Sequence, residues 1–159
     1  MTRAILFAIP LAFMSLTAAA AQSTGNAALA LAAIVGSASP KLTSAEKGVL
    51  VHFLDGDTHA PLISGTTRLT VTADRITCRM GDVDIGLHDC ELVFGDKTIK
   101  RSGRAGQELL ATMQENGVEA DGTAGTIYYS VAPLTCMIDA KEVEDHDGGG
   151  ASCSFTNGR

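Results

Sequence analysis

The sequence has no tryptophan and only two tyrosines among its 159 residues. These two residue types anchor many protein–protein interfaces, so a partner-binding surface on this chain would lack its most usual anchors. Basic residues are also few, with 12 Lys and Arg against 18 Asp and Glu and a formal net charge of −6. An acidic chain is repelled by the phosphate backbone, which argues against nucleic-acid binding.

Long apolar runs are missing beyond the N-terminal region. Arg3 precedes the apolar stretch 4–16, and small residues follow up to Ala21, a pattern typical of a secretory signal peptide over residues 1–21. Removing 21 of 159 residues leaves 138, enough for one domain with a modest core. The apolar run 27–35 is far shorter than the roughly 20 residues of a membrane span. We therefore expect a periplasmic or secreted protein with no membrane span in the mature chain.

No C-x-x-C pair is present, which disfavours a structural zinc site. The four cysteines, Cys78, Cys90, Cys136 and Cys153, favour two disulfides, because thiols are oxidised in the compartments that receive exported proteins. Three connectivities are open, and we prefer the nearest neighbours, Cys78 with Cys90 and Cys136 with Cys153. Each short loop would stabilise the fold by roughly 3 kcal/mol.

Composition divides the mature chain into two parts. Residues 22–41 are rich in Ala and Ser and are expected to be a flexible lead-in, so residues 42–159 would form a single globular, disulfide-stabilised domain. At the start of this domain, Thr43 with Glu46 resembles a helix capping box, whereas the apolar residues that follow alternate as in a strand. The β-branched residues favour a strand over residues 48–54.

The rest of the domain predicts an α+β fold with a mostly antiparallel sheet. Apolar positions that recur every four residues predict one main helix over about 103–116, capped by Ser102 and stopped by Gly117. One helix is too few for parallel crossovers, so antiparallel pairing is favoured. Residues 95–96 predict a hairpin turn. The predicted strands are 68–72, 75–80, 90–94, 98–100, 126–131, 134–138 and 152–156.

A weak internal repeat appears when the chain is shifted by 58 positions. Thr77-Cys78 then aligns with Thr135-Cys136, and His88-Asp89 aligns with His146-Asp147. Each unit would contain a strand, a cysteine, a loop, a His-Asp pair and a second cysteine, with extra residues in the second copy. The identities are few, so the alternatives are a chance alignment and a duplication into two disulfide-closed β repeats.

Four basic residues lie together just before and at the start of the predicted helix: Lys97, Lys100, Arg101 and Arg104. Cations at a helix N-terminus oppose the helix dipole, whereas a bound anion would use both the bases and the free N–H groups of the first turn. This cluster is the candidate anion-binding site, and a solvated basic surface is the alternative.

A second cluster consists of His52, Asp55, Asp57 and His59, whose imidazoles and carboxylates suit a divalent cation. The spacing matches no established ligand motif, so a strand histidine beside an acidic turn is the simpler interpretation. The acidic run 142–148 offers carboxylates for Ca²⁺ but lacks the ligand spacing of an EF-hand loop. Neither pattern assigns a catalytic residue, and we expect no cofactor.

These patterns favour a small exported binding or accessory module of the bacterial envelope over an enzyme. Its ligand would be an unidentified protein or a small molecule, and an anion at the basic helix start is one candidate. The alternative is a metal-dependent hydrolase that uses the cluster from His52 to His59. A structural envelope component that assembles through an unpaired sheet edge is a third hypothesis.

Overall fold

The computed structural model describes residues 20–54, 68–81, 88–123, 126–139, 141–142 and 150–158. Within these ranges the chain forms an α+β fold, an antiparallel sheet of eight strands with three helices rather than the one main helix expected. The strands are β1 (Ala21–Thr24), β2 (Arg68–Ala73), β3 (Arg75–Met80), β4 (His88–Phe94), β5 (Lys97–Ser102), β6 (Ala120–Thr123), β7 (Thr126–Asp139) and β8 (Ala151–Asn157). The helices are α1 (Gly25–Ala38), α2 (Ser44–Leu54) and α3 (Gly103–Glu115).

Strand β7 lies at the centre of the sheet and is long enough to pair with two strands on one side. Its C-terminal half pairs with β2 and its N-terminal half with β3. The strand order is β1-β8-β7-β3-β4-β5, and β6 forms a hairpin with the start of β7. β2 and β3 are separated only by Asp74, whose backbone N–H donates to the carbonyl of Val93 at 2.8 Å.

The predicted hairpin at residues 95–96 is present between β4 and β5. Phe94 and Lys97 are register partners, so the turn has two residues. Gly95 has a φ of 65°, a conformation that glycine adopts without the steric cost of a Cβ atom. Its N–H donates to the carboxylate of Asp74, which ties the turn to the break between β2 and β3.

Burial alternates along the central strands, as in an antiparallel sheet with one covered face. On β4, Cys90, Leu92 and Phe94 are buried, while Asp89 and Glu91, at alternate positions, are exposed. The same two-residue period on β2, β3, β7 and β8 places their apolar residues beneath α1 and α3. One face of the sheet therefore forms the core with the helices, and the other carries polar residues.

Residues 22–41, expected to be a flexible lead-in, instead contain most of β1 and all of α1. This helix of 14 residues buries Ala28, Leu31 and Val35 at helical spacing. The Ala-rich composition suggested a loop, but Ala has the highest helix propensity, and its small side chain lets α1 lie close to the sheet. The expected start of the domain at residue 42 is therefore wrong. The folded domain includes residues from Ala21, which is the last residue of the expected signal peptide.

Residues 48–54 belong to helix α2, so the expected strand is wrong and the capping-box interpretation is correct. The N–H of Thr43 donates to Glu46 Oε2 at 2.7 Å, and the N–H of Glu46 donates to Thr43 Oγ1 at 3.3 Å. Packing against α1 also favours the helix. Gly36 of α1 has no side chain and leaves room for Leu50, with which a Cβ atom would collide.

Helix α3 differs from the predicted range 103–116 by one residue at its end. Ser102 occupies the N-cap position, although its side chain makes no capping hydrogen bond. Gly117 follows the helix with a φ of 77°, as expected of a left-handed stop. Near the start of α3, Gly106 packs so closely on β4 that a Cβ atom would collide with the carbonyl oxygen of His88.

Both predicted disulfides, Cys78–Cys90 and Cys136–Cys153, are confirmed. Each joins directly opposite residues of neighbouring strands, the first in β3 and β4 and the second in β7 and β8. All four cysteines are buried on the helix-covered face. Two buried disulfides indicate an oxidising extracellular or periplasmic environment. In the part of the chain described, no helix is long and apolar enough to cross a membrane.

Candidate functional site

The sheet face opposite the helices is the candidate functional surface. We call it the open face: it consists of the strand residues that alternate with the buried ones, and no described element covers it. Register partners in neighbouring strands point to the same side, so the open-face side chains form rows across the sheet. Two of these rows line shallow depressions of about 480 and 460 Å³.

The first depression, the charged site, lies on β3, β4, β5 and the start of β7. Its main row consists of Tyr128, Arg79, Asp89 and Ser102, which are successive register partners. Side chains directly opposite in such a ladder have Cβ atoms roughly 5 Å apart, so Arg79 and Asp89 can contact the same ligand. Neither forms an ion pair with another described residue. The row therefore presents one cation and one anion side by side.

A second row of the charged site contains Ser130, Thr77, Glu91 and Lys100. The hydroxyl oxygens of Thr77 and Ser130 are 3.1 Å apart and share a hydrogen bond, and Lys100 Nζ lies 3.4 Å from Glu91 Oε1. The Lys100 and Glu91 side chains are 75% and 54% exposed, so this ion pair adds little stability. Together the two rows hold two bases and two acids and have no net charge.

The second depression lies on β1, β8, β7 and β2. We call it the neutral site because its central row has no charged residue, although Arg68, Asp139 and Glu142 also line the depression. Its row consists of Thr24, Ser152, Met137 and Thr70, again successive register partners. Met137 is 60% exposed, more than any other large hydrophobic residue in the described ranges. The row therefore combines a flexible apolar side chain with hydroxyl groups on both sides.

An ion pair closes one end of the neutral site. Arg68 Nε donates to Asp139 Oδ2 at 3.1 Å, and this hydrogen bond lowers the pKa of Asp139. The Arg68 side chain is 84% exposed, so the pair is a solvated contact at the rim of the site.

The four bases predicted to bind an anion are divided between the two sides of the sheet, and their common site stays a prediction. Lys97 and Arg101 lie on the helix side of edge strand β5, whereas Lys100 lies on the open face, because successive strand residues alternate. Lys100 is already in an ion pair there. Arg104 in α3 donates to Glu108 Oε1 at 3.0 Å one turn further on. Of the four, only Lys100 belongs to one of the two sites.

The candidate metal ligands are described only in part. His52 lies on α2, and Asp55, Asp57 and His59 lie outside the described residues. Within the ranges that the structure covers, no three His, Cys, Asp or Glu side chains are grouped to hold a metal ion. The acidic run 142–148 is described only at Glu142. The metal-dependent hydrolase and the Ca²⁺ site therefore stay predictions.

The two His-Asp pairs of the predicted repeat have different outcomes. His88-Asp89 opens β4: Asp89 belongs to the charged site, and His88 Nδ1 is buried with no hydrogen-bond partner among the described residues. The second pair, His146-Asp147, lies outside the described residues.

Sequence reasoning missed most residues of both sites, because Arg79, Tyr128 and Met137 belong to no local motif. One signal for the charged site was available. A disulfide between directly opposite cysteines, Cys78 and Cys90, fixes the strand register and thereby places Arg79 opposite Asp89. Tyr128 joins this row through the pairing of β7 with β3, which no sequence feature specified.

Comparison with known proteins finds no similarity that would assign a function. No family model matches the chain, and no curated protein and no solved structure is significantly similar to it. The geometry of the open face is therefore the basis for proposing one.

Proposed function

We propose that this protein is an exported recognition module of the bacterial envelope that binds another protein through its open face. One observation carries the proposal: one face of the sheet forms the core with the helices and both disulfides, while the other presents two depressions. Cross-strand disulfides beneath this surface hold its strands in one arrangement. A preorganised surface loses less conformational entropy when a partner binds.

The dimensions and charge of the open face favour a protein over a small ligand or a polyanion. Thr70 and Arg79, in the two main rows, are nine residues apart along β2 and β3, which corresponds to about 30 Å. A single metabolite does not span that distance. The charged site has no net charge and so no general attraction for a polyanion. Alternating charges beside an exposed apolar side chain suit a complementary protein surface.

Site-specific photocrosslinking in the native envelope tests the proposal. Benzoylphenylalanine is placed on the open face at Thr77 and, in a separate variant, at Thr135. Matched control variants carry it at Gln107 and Glu115, which are exposed on α3. We expect both open-face positions to give an adduct with the same protein and the two helix positions to give none.

The adduct must also depend on the charges of the open face. Arg79→Asp is expected to abolish the adduct from Thr77, because it places two acids side by side in the main row. Arg104→Asp changes the charge equally, on exposed α3, and is expected to leave the adduct intact. Adducts from the helix positions alone, or an adduct indifferent to Arg79→Asp, would contradict the proposal.

A further inference from the structure

We infer that the fold is an internal duplication in which β1 and α1, although first in the chain, belong to the C-terminal half. Half A consists of β2, β3, β4, β5 and α3 in chain order. Half B consists of β7 and β8, completed by β1 and α1 from the start of the chain. The inference rests on the geometry of the fold and not on the proposed function.

The sheet is symmetric about its centre. Its order, β1-β8-β7-β3-β4-β5, gives each half an edge strand, an outer strand and an inner strand. The shift of 58 residues that aligns Cys78 with Cys136 places Arg68–Met80 on 126–138, which is β7 except for its last residue. The break at Asp74 then falls on Ala132, where the pairing of β7 with β8 changes register. The two inner strands therefore match in length and in the position of their interruption.

The edge strands and helices of the two halves match only if β1 and α1, which come first in the chain, are placed after β8. In half A, β5 pairs with β4 and leads directly into α3, and in half B, β1 pairs with β8 and leads directly into α1. The junction residues have similar φ and ψ, −125° and 164° at Ser102 and −139° and 166° at Thr24. The next residues are Gly103 and Gly25, with positive φ of 60° and 73°. The same strand-to-helix turn therefore occurs twice.

The two disulfides have the same surroundings. In each, the Sγ atom of the second cysteine lies against the carbonyl oxygen of the fourth residue of the helix above it. The distances are 3.4 Å from Cys90 to Gly106 and 3.3 Å from Cys153 to Ala28. A disulfide sulfur carries no proton, so these are packing contacts and not hydrogen bonds. Each helix is therefore seated on its outer strand at the same position.

A further pair of contacts links each helix to the inner strand of the other half. The twelfth residue of α3, Gln114, donates from Nε2 to Tyr129 Oη at 2.9 Å. The twelfth residue of α1, Gly36, faces Val71. A Cβ atom added to Gly36 would lie 3.1 Å from Val71 Cγ2. Val71 and Tyr129 are 58 positions apart, so the contact is preserved although all four residue types differ.

The duplication makes the charged and neutral sites two versions of one site. Its strand registers equate Tyr128, Arg79, Asp89 and Ser102 with Thr70, Met137, Ser152 and Thr24. Asp89 thus corresponds to Ser152 and not to Asp147, its partner in the shift of 58 positions. In half B the corresponding positions hold Met137 and Ser152, and the same pair of strands forms there. The two charges are therefore not a requirement of the fold.

The duplication also predicts how the end of β8 would connect to the start of β1. In half A, the turn Gly95-Asp96 joins β4 to β5. The same alignment puts Gly158 and Arg159 at the positions of that turn and Ala19 at the position of Lys97. A peptide bond between Arg159 and Ala19 would therefore close a turn of two residues without an inserted linker.

Backbone cyclisation of residues 19–159 tests this prediction. A split intein that leaves one serine at the junction, in place of Arg159, gives the direct closure, and a control closure carries eight additional Gly and Ser residues. Both are compared with the linear chain, with the two disulfides verified by mass. We expect the direct closure to raise Tm by several degrees, at least as much as the control, because the shorter loop restricts the unfolded chain more.

If the direct closure has a lower Tm than the linear chain and the control closure does not, the two-residue turn does not fit. That result would overturn the inference. A loss of stability in both closures would overturn it as well, since the ends of β8 and β1 would not be neighbours. Amide exchange supplies a second measurement. The amides of Gln22 to Thr24 should stay as protected in the direct closure as in the linear chain, and their loss of protection would also count against the duplication.

Discussion

Thr43 and Glu46 cap α2 reciprocally, because each donates its backbone N–H to the side chain of the other. The hydroxyl of Thr43 also donates to Glu46 Oε2 at 2.7 Å. The Thr43 N–H, and to a lesser extent the hydroxyl, stabilise the carboxylate and lower the pKa of Glu46 below 4.5. This pair therefore explains why a segment with the alternation of a strand begins a helix.

We predict that Thr43→Ala lowers the free energy of unfolding by about 1 kcal/mol, because the first turn of α2 loses its side-chain cap. Urea denaturation followed by circular dichroism measures the loss. Ser44→Ala, at the adjacent exposed position, is the control and should be close to neutral.

The pKa of Glu46 predicts a pH dependence of the same contact. A carboxyl whose pKa is lower in the folded state contributes its stabilisation fully above the unfolded-state pKa and loses it as the pH falls through the folded-state pKa. The stability difference between the unmodified chain and Glu46→Gln should therefore be fully present above the unfolded-state pKa and shrink as the pH falls through the lower folded-state pKa. A difference that is constant with pH would contradict the role of the ionised carboxylate.

Removal of either disulfide should destabilise the fold without abolishing it. Replacing Cys78 and Cys90 together by Ser, or Cys136 and Cys153, should each cost about 3 kcal/mol. The losses should be nearly equal, because the sequence separations of 12 and 17 differ little on a logarithmic scale. Denaturation under non-reducing conditions measures both. An unchanged melting temperature in either double variant would refute this expectation.

Two helical glycines should respond in opposite directions to substitution by alanine. Gly106→Ala should lower the free energy of unfolding by about 1–3 kcal/mol. The new Cβ atom would collide with the carbonyl oxygen of His88 and lie 2.8 Å from the carbonyl oxygen of Arg101. Gly48→Ala in α2 meets no atom within 4 Å and should stabilise by about 1 kcal/mol through helix propensity. Thermal denaturation of both variants checks the contrast, and equal effects would refute the close packing of α3 on β4.

The two sites on the open face should exchange their residues without cost to the fold. The double variant Arg79→Met with Asp89→Ser copies the neutral row into the charged site. It should change stability by no more than about 0.5 kcal/mol, since neither charge is in an ion pair with a described residue. The same variant should abolish the photocrosslink from Thr77. A loss of stability above about 2 kcal/mol, measured by urea denaturation, would show instead that these charges serve the fold.

The sequence was most informative where one local pattern decided the structure. Helix α3 has helical periodicity and a glycine stop, the β4–β5 turn has a two-residue Gly-Asp signal, and the nearest-neighbour cysteine pairs gave both disulfides. In each of these, the residues that define the element lie close together in the chain.

Prediction failed where distant residues decide the structure. α1 has weak amphipathicity and is stabilised by packing on β8 and α2, so its Ala-rich segment resembled a linker. The prediction for α2 is wrong for a different, local reason: its alternating apolar residues favour a strand, whereas the Thr43–Glu46 cap begins a helix. The main rows of the open face combine residues from four strands, and the order of those strands was not predictable before β7 was known to be central.

The pairing of β1 with β8 joins the start of the described chain to its end, as in the partners Ala21 and Phe155. During synthesis, β1 has no partner, and α1 lacks the strand on which it packs most, until residues 151–157 have emerged. The nascent chain is therefore a natural client for holding chaperones throughout that interval. A truncated product that ends before Ala151 leaves β1 unpaired and α1 only partly covered, so early termination should yield an aggregation-prone fragment.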